Sequence, residues 1–154
     1  MKKELLTVLV LMLMTLANFG CAHSGSKVFS NDPTLLSGTW EGLSFTQNSR
    51  GHVGTKKTVI LEVNAQGGIS GTADWVKLNG EGGHDGNKPT DHSTESLIGS
   101  LNKHDGVFFL VETSETGFWY CRTINSDLVQ AHLIQSGPKH VSTFVEFNRV
   151  KEVE

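Results

Sequence analysis

Apolar residues recur at every second position through most of this chain, and polar or turn-forming residues break the runs. That is the period of a β-strand with one buried face. The pattern predicts eight strands, at residues 39–46, 58–63, 69–75, 95–101, 107–113, 118–124, 128–135 and 141–150. The clearest pair is the second and third. Val59, Leu61 and Val63 alternate with polar neighbours, Asn64-Ala65-Gln66-Gly67-Gly68 makes the turn, and Ile69, Gly71, Ala73 and Trp75 share one face of the return. Glycine in that turn supplies the positive φ a tight hairpin needs. Residues 47–57 and 78–92 read as loops, the second long, polar and rich in glycine.

Eight strands joined mostly by short turns form an up-and-down meander. A meander with one apolar face packs on a second sheet or closes on itself, and closure removes its unpaired edges. The expected fold class is therefore all-β, an eight-stranded antiparallel up-and-down barrel. Eight strands enclose an interior that side chains just fill, or one that holds a single small ligand.

The ends of the chain read differently. Met1-Lys2-Lys3 followed by the apolar run 5–17 (LLTVLVLMLMTLA) has the order of a secretory signal, here residues 1–20. The run is shorter than the roughly 20 residues of a membrane-spanning helix. Asn18-Phe19-Gly20-Cys21 resembles a bacterial lipobox in part: Gly before Cys fits, while Asn18 stands where Leu is usual. The resemblance implies cleavage before Cys21, a lipid (palmitate-type) anchor on its thiol and a place in the cell envelope. Ala22, rather than Asp, beside the cysteine resembles the pattern that proceeds to an outer membrane, facing the periplasm. The alternative is a small-x-small site, Gly20-Cys21-Ala22, with cleavage after Ala22. Residues 21–35 are polar and read as a flexible tether, leaving residues 36–151 as one barrel domain.

A formal net charge of −3 argues against nucleic-acid binding, which needs a basic face. Cys121 is the only cysteine besides Cys21. It either pairs with Cys21 or sits in its strand as a small hydrophobe.

Gly38-Thr39-Trp40 opens the first strand, and Arg149 lies near the end of the last, in FVEFNRVK. These residues resemble the G-x-W and terminal Arg of the calycin barrels, the lipocalins and avidins. The resemblance implies that Trp40 plugs one end of the barrel and that Arg149 lies across it, a cation–π contact that holds the fold. It does not extend to a second lipocalin motif or to the polar contacts through which avidin holds biotin.

Chemistry-bearing clusters are sparse. His84, Asp85, Asp91 and His92 carry metal-ligand atoms, but on a glycine-rich loop and with no structural-site spacing, so no metal or other cofactor is assigned. His132 can be a lumen acid–base group or a plain wall residue. Cys121 and Arg122 point to opposite faces of a strand, and no nucleophile motif is present, so no catalytic residue is assigned and the chain is not expected to be an enzyme. Four strand aromatics remain as lining for a pocket: Trp75, Phe109, Trp119 and Tyr120. In GFWYCRT both faces carry an aromatic, so parity does not choose between them, and part of the outer face is expected to be covered. Two functions fit. One is an envelope lipoprotein whose barrel binds a small apolar or amphipathic ligand. The other is a protein-interaction module, of the envelope-inhibitor or immunity type, with a solid barrel and a protein or second-copy partner.

Overall fold

The structure is a computed structural model and describes Phe29, residues 31–85 and residues 88–151. The signal segment 1–20, Cys21 and most of the tether lie outside the described residues.

Eight long strands close into a barrel. They are β1 (Gly38–Asn48), β2 (Gly51–Val63), β3 (Gly68–Gly80), β6 (His92–Asn102), β7 (Val107–Glu112), β8 (Gly117–Asn125), β9 (Leu128–Gln135) and β10 (Val141–Arg149). A small hairpin of β4 (His84–Asp85) and β5 (Lys88–Pro89) stands apart between β3 and β6. Every barrel strand pairs antiparallel with its neighbours in the chain, and β1 closes the ring against β10 through Trp40↔Arg149 to Asn48↔Val141. This is the up-and-down meander that the alternation predicts.

Two expected loops are corrected. The stretch 47–57 is strand apart from the Ser49–Arg50 turn: Asn48 pairs with Gly51, and the Asn48 side chain accepts from the Arg50 N–H at 2.8 Å. The stretch 78–92 begins as a continuation of β3, which pairs as far as Gly80↔Val53. The first was hidden because, Val53 apart, its inward positions Asn48, Thr55 and Lys57 are buried and polar, so little apolar alternation marks the strand.

The interior has two halves. The lower half is apolar: Val59, Leu61, Phe108, Leu110, Cys121, Val129 and Phe147 pack around Trp40, and the residual space of about 10 Å³ is too small for more than a single water. Cys121 is a free, buried thiol, and burial pushes its pKa above the usual range, which leaves it unreactive.

A compact clamp closes the base. The last residues of the segment read as a tether are packed here. Phe29 is 1% exposed, and Pro33–Leu36 forms a 3-10 turn capped by Asp32, whose carboxylate accepts from the Thr34 N–H at 3.0 Å. Trp40 Nε1 donates to the Leu36 carbonyl at 3.1 Å. The Arg149 guanidinium stacks 4.2 Å from the Trp40 ring centroid. Its three nitrogens donate to the carbonyls of Ser126 (2.9 Å), Ser37 (2.8 Å) and Leu35 (2.6 Å). Gly38 is required beside it: its φ is +131°, and a Cβ there would lie 2.9 Å from Arg149 Nη1.

Truncating the plug therefore opens a cavity in the tightest part of the core. Trp40→Ala is expected to cost roughly 3–5 kcal/mol, measured as a fall in the urea midpoint at unchanged slope. A midpoint equal to that of the parent would contradict the clamp.

Candidate functional site

Above Trp119 the interior changes character. A cavity of about 60 Å³ remains, lined among others by Thr46, Thr55, Lys57, Trp75, Glu95, Glu112, Trp119 and Gln135. On the same measure one water takes roughly 10–15 Å³, so the space admits a small head group rather than a long chain. Trp119, 2% exposed, also borders the packed base, and its indole is the partition between the two halves. Trp75 stands on the opposite wall. Gly83 is packed so closely on it that a Cβ would meet the ring at 2.3 Å, which draws the segment after β3 over the mouth.

The polar groups are held individually. Trp119 Nε1 donates to Glu112 Oε1 at 3.1 Å. Glu95 accepts from Ser93 Oγ at 3.0 Å on one oxygen and from Ser114 Oγ at 2.6 Å on the other. Gln135 Nε2 donates to Glu115 at 2.6 Å, and the Ser44 and Thr55 hydroxyls share a hydrogen bond of 2.9 Å. Gly117 makes room for the Glu112 carboxylate, which would lie 1.8 Å from any Cβ placed there.

Lys57 is different. It is 4% exposed, and its ammonium has no hydrogen bond or ion pair among the described residues; Glu112 is the charge that acts on it. Burial pulls its pKa down to about 8, with Glu112 opposing. Burial pushes the Glu112 carboxyl up to about 7. The Trp119 hydrogen bond opposes that rise, Glu95 and Glu115 add to it, and Lys57 opposes it in turn.

The four proposed lining aromatics divide. Trp75 and Trp119 meet at the cavity. Phe109 and Tyr120 do not: they are 41% and 38% exposed on the outer wall, a correction to the expectation that they line a pocket. Phe108, Leu110 and Cys121 take the inward places on the same strands. Outside, Phe109 stacks on Phe118 at 5.6 Å and meets Tyr120 at 5.7 Å, and His132 lies 4.8 Å from Phe144. The pairings Ile98↔Val111↔Phe118↔Ile134 and Phe109↔Tyr120↔His132↔Phe144 carry this exposed apolar surface across five strands.

The loop cluster brings nothing together. Asp91 is ion-paired with Lys77 at 2.5 Å, His92 is exposed at the start of β6, and the His84 and Asp85 side chains lie outside the described residues. Among the described residues no three His, Cys, Asp or Glu side chains are placed to share a metal. The cavity residues that sequence reading missed, Lys57, Glu95 and Glu112, had one available signal: each shares parity with apolar residues on its strand, Val59 and Leu61, Leu97, and Phe108 and Leu110.

A closed meander of eight antiparallel strands, entered by Gly38-Thr39-Trp40 and clamped by Arg149, has a calycin-like fold. No protein-family model matches the chain, and no curated protein matches it. Among solved structures it is similar to the S-type phycobiliprotein lyase CPES from Guillardia theta, with 10% identity over 79% of this chain and 92% of that one, at a TM-score of 0.47. It is also similar to the odorant binding protein OBP1, with 15% identity over 80% of this chain and 77% of that one, at a TM-score of 0.44.

The buried charges set a pH dependence. The folded-state pKa of Glu112 lies above its ordinary 4.5, so the native state holds a proton that the unfolded chain gives up. Stability is expected to fall as pH rises from about 4.5 through 7, by on the order of 3 kcal/mol. Glu112→Gln, which still accepts from Trp119, should remove that slope. Lys57 stays charged in both states below about pH 8, so its burial cost is present at neutral pH and relieved only above that. Lys57→Met should therefore stabilise the protein at pH 7, by about 1–3 kcal/mol. Urea unfolding at pH 5, 7 and 9 reads both effects, and an unchanged slope in Glu112→Gln would refute the assignment.

Proposed function

We propose that the protein is an exported envelope protein, lipid-anchored through Cys21, whose barrel holds one small amphipathic ligand in its upper cavity. The observation that carries the ligand reading is the split interior. A barrel meant only to be solid gains nothing by burying Lys57, Glu95 and Glu112 around an unfilled space, because buried charge costs stability unless it is paired. Two indoles and a few fixed polar groups facing one cavity are the usual make-up of a small-molecule site. The anchor and envelope readings rest on the leader, with Lys2, Lys3, the apolar run 5–17 and Cys21 in signal order, and Ala22 favours an outer membrane.

The second reading, a protein-interaction module, is favoured by one observation: the exposed apolar face over β6 to β10. Contiguous apolar surface of this kind marks interaction sites.

One titration separates the two. Phenylacetate, phenylacetamide and benzylamine are added to the purified protein and tryptophan emission is followed. The ligand reading expects saturable one-to-one quenching by at least one of them, lost in Trp75→Ala. No quenching by any, together with a dimer in sedimentation that Phe118→Glu returns to monomer, would replace it with the second reading. The anchor is tested on the mature protein by mass spectrometry, which should find an acylated Cys21 at the N-terminus; a free terminus at His23 would refute it.

A further inference from the structure

We propose that the cavity is a site for a small carboxylic acid, whose carboxylate is taken by the Lys57 ammonium while Trp75 and Trp119 hold its apolar body. This rests on the ligand-binding reading above and names the chemistry of the ligand.

One charged group at the cavity lacks a partner among the described residues. Four carboxylates line the space, and each already receives donors from the protein, Asp74 from the Thr94 hydroxyl. Glu95 has the Ser93 and Ser114 hydroxyls, Glu112 has the Trp119 indole, and Glu115 has the Gln135 amide. Lys57 is the exception. Its side chain is buried on the cavity wall, and among the described residues its three N–H donors find no acceptor and no carboxylate comes within ion-pair distance. A buried ammonium in that condition is unfavourable until an acceptor arrives. An anionic oxygen offers the strongest acceptor, and a planar carboxylate fits a space this small. The indoles then cover the remainder: Trp119 is the floor, and Trp75 with Gly83 packed on it stands at the mouth.

The surrounding charges fix the pH response. Lys57 on β2, Asp74 on β3, Glu95 on β6, Glu112 on β7 and Glu115 in the following turn all line the cavity. Asp74 accepts from the Thr94 hydroxyl. An incoming carboxylate repels ionised Glu112 most readily relieved by protonation, because that carboxyl already titrates near neutrality, at about 7. Binding of the acid is therefore linked to uptake of a proton from solvent onto Glu112, and affinity rises as pH falls from 8 to 6.

The test uses the same three probes, which share a ring and a one-carbon arm and differ in charge. Phenylacetate is expected to bind at least about tenfold more tightly than phenylacetamide, the worth of a charge-assisted hydrogen bond over a neutral one. Benzylamine should be weaker than both. In Lys57→Met, phenylacetate should fall to the affinity of the amide while the amide is unchanged. In Glu112→Gln, the rise in phenylacetate affinity from pH 8 to 6 should shrink to the part that protonation of Lys57, whose pKa is about 8, contributes. If acid and amide bind alike in the parent, or benzylamine binds best, the carboxylate assignment is overturned and the cavity remains a ligand site. If none of the three binds, both the assignment and the ligand reading fall. Should Lys57→Met not fold, the ranking of the probes on the parent protein decides alone.

Discussion

The Arg149 guanidinium holds together parts of the chain that no strand ladder connects. It accepts the Trp40 indole on one face and donates to carbonyls at Leu35, Ser37 and Ser126 around its edge. Few other side chains can do this, because guanidinium is planar, permanently charged and carries five donors in a fixed fork. The carbonyls belong to the 3-10 turn before β1 and to the turn between β8 and β9, so one residue pins the segment before the barrel to the end of the barrel. Phe29 and Leu36 are buried as a result, and the base becomes a packed apolar plug.

That plug lets the other half of the interior depart from the ordinary rule. Stability comes mainly from the lower half, where aromatic and aliphatic side chains leave only about 10 Å³ unfilled. The upper half carries hydroxyls, carboxylates and an ammonium around a larger space. Natural proteins concentrate such locally unfavourable arrangements at sites that act on something else, since the global fold can tolerate them only where selection maintains them. Trp119 links the two regimes. Its ring faces the plug, and its N–H faces the cavity and Glu112.

The outer wall shows the complementary inversion. Leu43 and Phe45 are largely exposed, Phe45 at 82%, while Ser44 and Thr46 between and beside them are buried. From Leu43 to Thr46 the apolar residues face solvent and the polar ones face the lumen. Around Phe109, Phe118 and Tyr120, by contrast, apolar residues occupy both faces. Period-two alternation reports that two faces differ. It does not report which of them is the core.

The chain's own residues determined the class of fold. Alternation, turn residues and the G-x-W and Arg pair are local features, and each acts through backbone geometry within a strand or a hairpin, so the eight-stranded meander and the identity of the clamp were legible in order along the chain. The site was not. Lys57 and Glu112 lie 55 residues apart and face the same space only because β2 and β7 sit on opposite walls of a closed barrel. Which aromatics turn inward, Trp119 rather than Tyr120, was decided by register: strand parity has no sign until closure makes one face the interior.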